Sequence, residues 1–261
     1  MDKFLFGARA STGNPSPDAM TILVLISADA EWRAVKEILR PAEVSVSPVG
    51  EFFRAQLPST PDAQPLTFLH GGWGKISAAA TAQYAIDHFG PQLLVNLGTC
   101  GGFAGRIEPG TVILVERTIV YDIVEQMGDP DDAIAHYETE LDLAWLIASS
   151  QFSVITDPPS GTSQFSLVRG LMVSADRDIL PGDIPLLVEK YGAVAADWES
   201  GAIAWVAKKN GVRCLILRGV TDLVGEPGGE AYGNIQLFHE RTRGVLERLF
   251  NLLPVLLGGA A

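Results

Sequence analysis

The chain has 261 residues, of which 47% are hydrophobic and 19% charged. That is enough apolar material for a sizeable core, in one large domain or two small ones, and it excludes a disordered chain. The formal net charge of −12 gives an average field that repels a long nucleic acid or an anionic membrane, although a local basic pocket for a small anion remains compatible with it.

Two cysteines, Cys100 and Cys214, lie far apart in apolar or glycine-rich runs. Their spacing builds neither a disulfide framework nor a metal site, which points to a reducing compartment and a cytoplasmic location. The longest apolar runs, such as ILVLIS and NLLPVLL, fall far short of the ~20 residues that span a bilayer. Residues 1–20 carry Gly, Pro, Ser and Asn without a basic region followed by an apolar stretch, so they read as a flexible tail rather than a signal peptide, with Met20 an alternative start.

In chain order, TILVLIS at 21–27 reads as a buried strand, and ADAEWRAVKEIL follows with helical periodicity through Trp32, Val35 and Leu39. VSVSPVG and EFFRAQL are short strand candidates forming a hairpin. LTFLH is a strand, GGWG a turn, and KISAAATAQYAIDHFG a helix closed by Gly90 and Pro91. QLLVNLG is an inner strand expected to run into the glycine-rich turn TCGGFAG, and TVILVE is a further strand. The polar stretch Tyr121–His136 is expected to be a loop over a site or at an interface. ETELDLAWLIASS reads as a helix, SLVRGLMVSA as a strand and IPLLVEKYG as a short helix. AVAADWES, the helix GAIAWVAKKNG, the strand VRCLILRG and a long helix around NIQLFHERTRGVLERLFNLL complete the chain. With no internal repeat or linker, the count is one α/β domain with a largely parallel or mixed sheet.

Ligands of open α/β sheets bind beyond the carboxyl ends of strands. Those ends carry Asp29 and Glu31, Gly71, Gly72 and Gly74, Thr99, Gly101 and Gly102, Asp176, Glu199, and Thr221 with Asp222. The glycine clusters either offer backbone N–H groups to an anion or ribose oxygen, or simply turn the chain into a helix. Neither is a dinucleotide or P-loop fingerprint. Glu199 sits among small and apolar residues, where a carboxylate is costly unless hydrogen-bonded. It is either functional or a helix-start acid favoured by the dipole. Asp222 carries the same alternatives, including that of a helix N-cap. Arg218, within an apolar run, needs a partner, for which Glu199 or a ligand hydroxyl would serve. The four histidines show no metal spacing, and no GxSxG elbow is present.

Four blocks in this order carry a family resemblance: ISADAEWRAV, HGGWGKISAAA, LLVNLGTCGG, and the pair DWESGAIA and LILRGVTD. Together they resemble the nucleoside phosphorylase and nucleosidase superfamily, most closely its 5′-methylthioadenosine/S-adenosylhomocysteine nucleosidase branch, over about residues 21–250. The resemblance implies a single-domain three-layer fold across 21–261, with a central mixed twisted sheet flanked by helices. It also implies hydrolysis of a purine nucleoside's N-glycosidic bond in nucleoside catabolism and methionine salvage.

By position, the resemblance makes Glu31 the residue that helps activate water and Asp222 the acid at the purine N7. Glu199, preceded by Trp198, is the ribose-binding carboxylate. Arg218 supports the base site, Thr99 faces the ribose or phosphate region, Asp176 either reads the purine edge or braces the loop, and Asp178 and Ile179 lie along the base. The chemistry fits those residue types: charge develops on sugar and base in opposite senses, Asp222 must hold a proton, and Glu31 must be ionised.

Asn96 stands where the hexameric phosphorylases place an arginine, which favours water over phosphate as nucleophile, while Arg54 is the counter-candidate for a phosphate donor. Asp178 stands where the methylthioadenosine enzymes place an aromatic residue. It does not stack, but accepts a hydrogen bond from an exocyclic amine or ring N–H, and Phe165 or Tyr121 is left to supply stacking. Inosine, futalosine and other nucleosides stay open. The alternatives carried are a phosphate-dependent phosphorylase and a non-catalytic nucleoside-binding protein. No metal or organic cofactor is required, and a homodimer or higher homo-oligomer is expected.

Overall fold

A computed structural model describes residues 20–60, 62–147 and 167–258; the expected tail, the end of ETELDLAWLIASS and Phe165 lie outside the described residues. The elements run β1 (Ile22–Ile26), α1 (Asp29–Leu39), β2 (Ser45–Ser47), β3 (Gly50–Ala55), β4 (Leu66–His70), α2 (Lys75–Phe89), β5 (Leu93–Phe103) and β6 (Val112–Val120). They continue with α3 (Pro130–Tyr137), β7 (Thr139–Glu140), α4 (Ala144–Ile147), β8 (Leu167–Ser174), α5 (Ile184–Tyr191), β9 (Ala195–Asp197) and α6 (Ser200–Lys209). Last come β10 (Arg213–Gly225), β11 (Gly228–Gly229) and α7 (Ile235–Leu256).

The strands form one mixed sheet ordered β11-β10-β6-β8-β9-β5-β1-β4-β3-β2, with β7 on β6. A further pairing joins β10 to β5 in parallel, Arg213 opposite Leu93 through Val224 opposite Phe103. Strands β10, β6, β8, β9 and β5 therefore close a circuit, and β1, β4, β3 and β2 extend from it.

Successive residues of a strand point to opposite faces, and a sheet covered on both faces reads as a continuous apolar run. In β1, Ile22, Val24 and Ile26 join the core beneath α1 and α7, together with Val35, Leu249 and Phe250. Leu23 and Leu25 join the opposite core beneath α2 and α6, with Ala82 and Ala204. A smaller cluster of Phe103, Ile119, Val173, Ile179 and Leu187 packs where α5 meets the closed circuit.

Four expectations need correction. TCGG is not a turn: it continues β5, because Gly101 and Gly102 pair with Ala196 and Ala195 of β9. VRCLILRG is the first part of a 13-residue strand, so Asp222 lies within β10 and caps no helix. The stretch from Tyr121 to His136 is a loop only as far as Asp129. There, Asp129 accepts from the Asp131 N–H and, with Pro130, starts α3. ETELDLAWLIASS, as far as it is described, is not one helix, because Thr139 and Glu140 pair with β6 before the short α4 begins.

The closed circuit brings backbone and helix close at Gly219, where a Cβ would lie 2.3 Å from Val245 Cγ1 of α7. Overpacking at such a contact costs about 1–3 kcal/mol. Gly219→Ala should lower unfolding stability by that amount in urea denaturation, and Gly211→Ala, with open space around the added Cβ but a φ of +67°, should lose about 1–2 kcal/mol through backbone strain alone.

Candidate active site

A cavity of about 360 Å³ opens at the carboxyl ends of β1, β5 and β8, and it is also lined by β9 and the second half of β10. Its lining includes Glu31, Thr99, Asp178, Ile179, Trp198, Glu199 and Asp222. Asp176 and Arg218, the other two expected site residues, do not line it.

Glu31 is buried in the first turn of α1. Its Oε1 accepts from the backbone N–H and hydroxyl of Thr99 at 2.6 and 2.8 Å, and its Oε2 accepts from the Ala28 N–H at 3.2 Å. Thr99 thus acts as a donor that aims the carboxylate. The close approach needs a glycine at 98: a Cβ there would lie 2.9 Å from Glu31 Oε1 and 3.0 Å from Arg218 Nη1.

Arg218 is fully buried. Its Nε donates to Asp197 Oδ2 at 2.6 Å and its Nη2 to Asn96 Oδ1 at 2.6 Å, while Nη1 has no hydrogen-bond partner among the described residues. Burial works to lower its pKa, but the charges of Asp197, Glu31 and Glu199 outweigh that, and the net direction is upward. Asp197, which sequence reasoning passed over, is the hub: it also accepts from the Ser174 hydroxyl at 2.6 Å and from the Ser200 hydroxyl and N–H. A cation in an apolar strand demands a buried carboxylate, and that demand was the signal for Asp197 at the end of AVAAD.

Glu199 sits at the N-cap of α6 and accepts from the Gly74 N–H at 3.0 Å. Burial, then the negative charge of Asp197, push its pKa up, to about 8. Gly74 holds φ +88°, a conformation glycine adopts freely. The next N–H, that of Lys75, goes to Asp176 Oδ1 at 2.7 Å. The two readings of HGGWGK thus resolve into a third: its N–H groups hold the protein's own carboxylates. Asp176 braces this turn instead of facing the cavity, and its own N–H donates to Asp122 at 2.9 Å.

Asp222 reaches the cavity through a bulge. The register of β10 on β5 passes from Val220 opposite Cys100 to Asp222 opposite Gly101, leaving Thr221 as the extra residue. A bulge re-aims side chains, and here Thr221 and Asp222, neighbours in one strand, both line the cavity. Burial raises the pKa of Asp222, and the Thr221 hydroxyl, 2.8 Å from Oδ1, pulls partly against that rise.

Trp198 meets Trp73 edge-on, ring centroids 5.3 Å apart, at the cavity wall. Trp73, Arg177, Tyr232 and Phe238 are lining residues that the sequence did not single out. Cys100 also lines the cavity, but burial pushes its thiol pKa up, which makes it packing rather than a thiolate. Asn96 is buried, donates to the Leu25 carbonyl at 3.1 Å and does not line the cavity. Arg54 is exposed in β3, in a separate cleft with Ile38 and Pro58, and Tyr121 lies beneath the Arg177 guanidinium, 5.4 Å from its ring centre. Among the described residues no group of His, Cys, Asp and Glu is arranged to hold a metal ion.

Removing one partner of a buried ion pair leaves the other uncompensated and costs about 3–5 kcal/mol. Arg218→Met should lose stability on that scale, and Arg218→Met with Asp197→Leu should recover part of it in a double-mutant denaturation cycle. Glu199, with its pKa raised in the folded state, contributes stability that is fully present below the unfolded value of 4.5 and is lost as pH rises through about 8. Glu199→Gln should therefore flatten the decline in stability across that window, measured by urea midpoints at each pH.

The comparisons agree with this geometry. Residues 22–255 match the family model described as the phosphorylase superfamily. A 5′-methylthioadenosine/S-adenosylhomocysteine nucleosidase of Listeria monocytogenes is 26% identical over 214 residues, covering 79% of this chain and 88% of the relative. The same-named protein of Geobacillus kaustophilus is 24% identical over 250 residues, covering 91% and 98%. Among solved structures, the Campylobacter jejuni protein of that name shares the fold with a TM-score of 0.70 at 20% identity, covering 92% of this chain and 100% of its own. Futalosine hydrolase of Helicobacter pylori does so at 0.71 and 18%, covering 94% and 100%. With nearly the whole described chain matched, this protein belongs to the phosphorylase superfamily.

Proposed function

We propose that this protein hydrolyses the N-glycosidic bond of a purine nucleoside, with 5′-methylthioadenosine and S-adenosylhomocysteine, the substrates in its relatives' names, as the leading candidates. The observation that carries the reading is one cavity holding Glu31 from the first turn of α1, Glu199 from the N-cap of α6 and Asp222 from within β10, with the pKa of Asp222 raised by burial.

A carboxyl group whose burial favours its protonated form is suited to general-acid catalysis. Asp222 donates its proton to the base nitrogen N7, which drains electrons from the glycosidic bond as it breaks. Glu31, held by three donors, orients a water and takes its proton as that water adds to the sugar carbon. Glu199 hydrogen-bonds the ribose hydroxyls and holds the sugar in position for the attack. Trp198 and Trp73 form the apolar wall beside it.

Water is favoured over phosphate by charge. Burial holds Glu199 and Asp222 toward their neutral forms, but Glu31, Asp178 and Asp197 still line the cavity against one lining cation among the described residues, Arg177, and that cation is already bonded to Asp183. A phosphate dianion would face net repulsion.

A homodimer or higher homo-oligomer belongs to the same proposal. Ile76, Val124 and Met127 are 84%, 78% and 98% exposed, and the Lys75–Asp122 ion pair draws their two segments together into an apolar surface suited to a second copy. The proposal includes a cytoplasmic location and a role in methionine salvage. It is supported by Cys100 and Cys214 being free thiols, and no helix among the described residues is long and apolar enough to cross a membrane.

The test is an assay against methylthioadenosine, S-adenosylhomocysteine, adenosine, inosine and futalosine, with and without phosphate, identifying base and sugar products. Free sugar in phosphate-free buffer is expected. Turnover that requires phosphate and yields a sugar 1-phosphate would replace the hydrolase with a phosphorylase. Turnover of nothing would favour a binding protein. Asp222→Asn should lower kcat by about 10²–10⁴-fold with a smaller change in KM.

A further inference from the structure

The base end of the cavity departs from an aromatic stacking site. Arg177 and Asp178 follow β8 at its carboxyl end, both exposed and both lining the cavity. Arg177 is fixed by Asp183 and by the Tyr121 ring beneath it. Asp178 has no side-chain hydrogen bond or ion pair among the described residues. The Ile179 carbonyl, next in the chain, is already engaged by the Tyr232 hydroxyl at 2.8 Å. Tyr232, Asp178 and Asp222 line the same cavity.

We infer that Asp178 is the residue that selects the base, accepting an N–H from the six-position amine of a 6-aminopurine whose N7 is held by Asp222. A 6-amino group carries two N–H donors on one nitrogen, one for Asp178 and one for the second oxygen of Asp222. A 6-oxo group puts lone pairs at the same point, between two acceptors, and repulsion excludes it. Arg177 supplies the cavity's one cationic donor and suits the ring nitrogen N1, which is an acceptor in a 6-aminopurine. Selection comes from hydrogen bonding, because a site built to bond a polar group discriminates strongly against a base lacking it.

This inference rests on the nucleosidase reading for the placement of N7, and its test separates the two. Calorimetric titration of the protein with free adenine and free hypoxanthine reads the base site without catalysis. Adenine should bind at least about 10-fold more tightly, the size expected of one hydrogen bond to a charged group. Asp178→Asn, isosteric and at an exposed position, should lose about 10-fold on adenine and nothing on hypoxanthine, since its amide N–H can donate to the 6-oxygen. Asp178→Ala should also lose the preference, and both variants should melt with the parent. Equal losses on both bases, no loss on either, or no binding of adenine by the parent protein would overturn the inference. In parallel, failure of the parent to cleave any purine nucleoside, with adenine selection intact, would overturn the hydrolase reading alone.

Discussion

The buried pair of Arg218 and Asp197 is the constraint on which the site depends. Both side chains are almost wholly removed from water, at 1% and 2% exposure. Desolvating two ions is expensive, and their attraction offsets the cost only when the remaining polar atoms are bonded. Asp197 meets that condition with Ser174 and Ser200, and Arg218 meets it in part with Asn96, its Nη1 having no hydrogen-bond partner among the described residues. These bonds connect β5, β8, β9, α6 and β10, the strands being four of the five in the closed circuit. The pair therefore specifies how the circuit closes, as well as contributing to its stability.

The same charges shape the chemistry. Asp197 helps keep the proton on Glu199, Arg218 opposes it, and burial dominates both. The unpartnered Nη1 of Arg218 and the Glu31 carboxylate converge over Gly98. A substitution at Arg218, which does not line the cavity, would thus change protonation there without touching a bound nucleoside. Arg218 and Asn96 act by holding other groups, whereas Glu31, Glu199 and Asp222 face the cavity itself.

Backbone irregularity supplies the rest of the precision. The extra residue Thr221 in β10 puts Asp222 on the cavity side, and Gly74, at positive φ, presents its N–H to Glu199. Neither device is apolar, periodic or long, so neither leaves a pattern in the chain beyond the residue types themselves.

Much of this protein is determined by sequence alone. The apolar runs of β1, β4 and β5, the alanine-rich α2 and the glycines that close helices mark an α/β domain, because burial on both sheet faces and helix termination each require particular residue types at short range. Glu31, Glu199 and Asp222 stood out for a related reason: a charge beside an apolar strand needs an explanation. Tertiary structure decided what depends on distant segments. It continued TCGG as strand, because β9 pairs with it. It gave Arg218 to Asp197, 21 residues away in sequence, rather than to the cavity. It made Asp176 a brace of the turn before α2 and brought Arg177 and Tyr232 to the cavity lining. Those outcomes are set by which strands lie side by side, and strand order is a long-range property that local residue patterns do not encode.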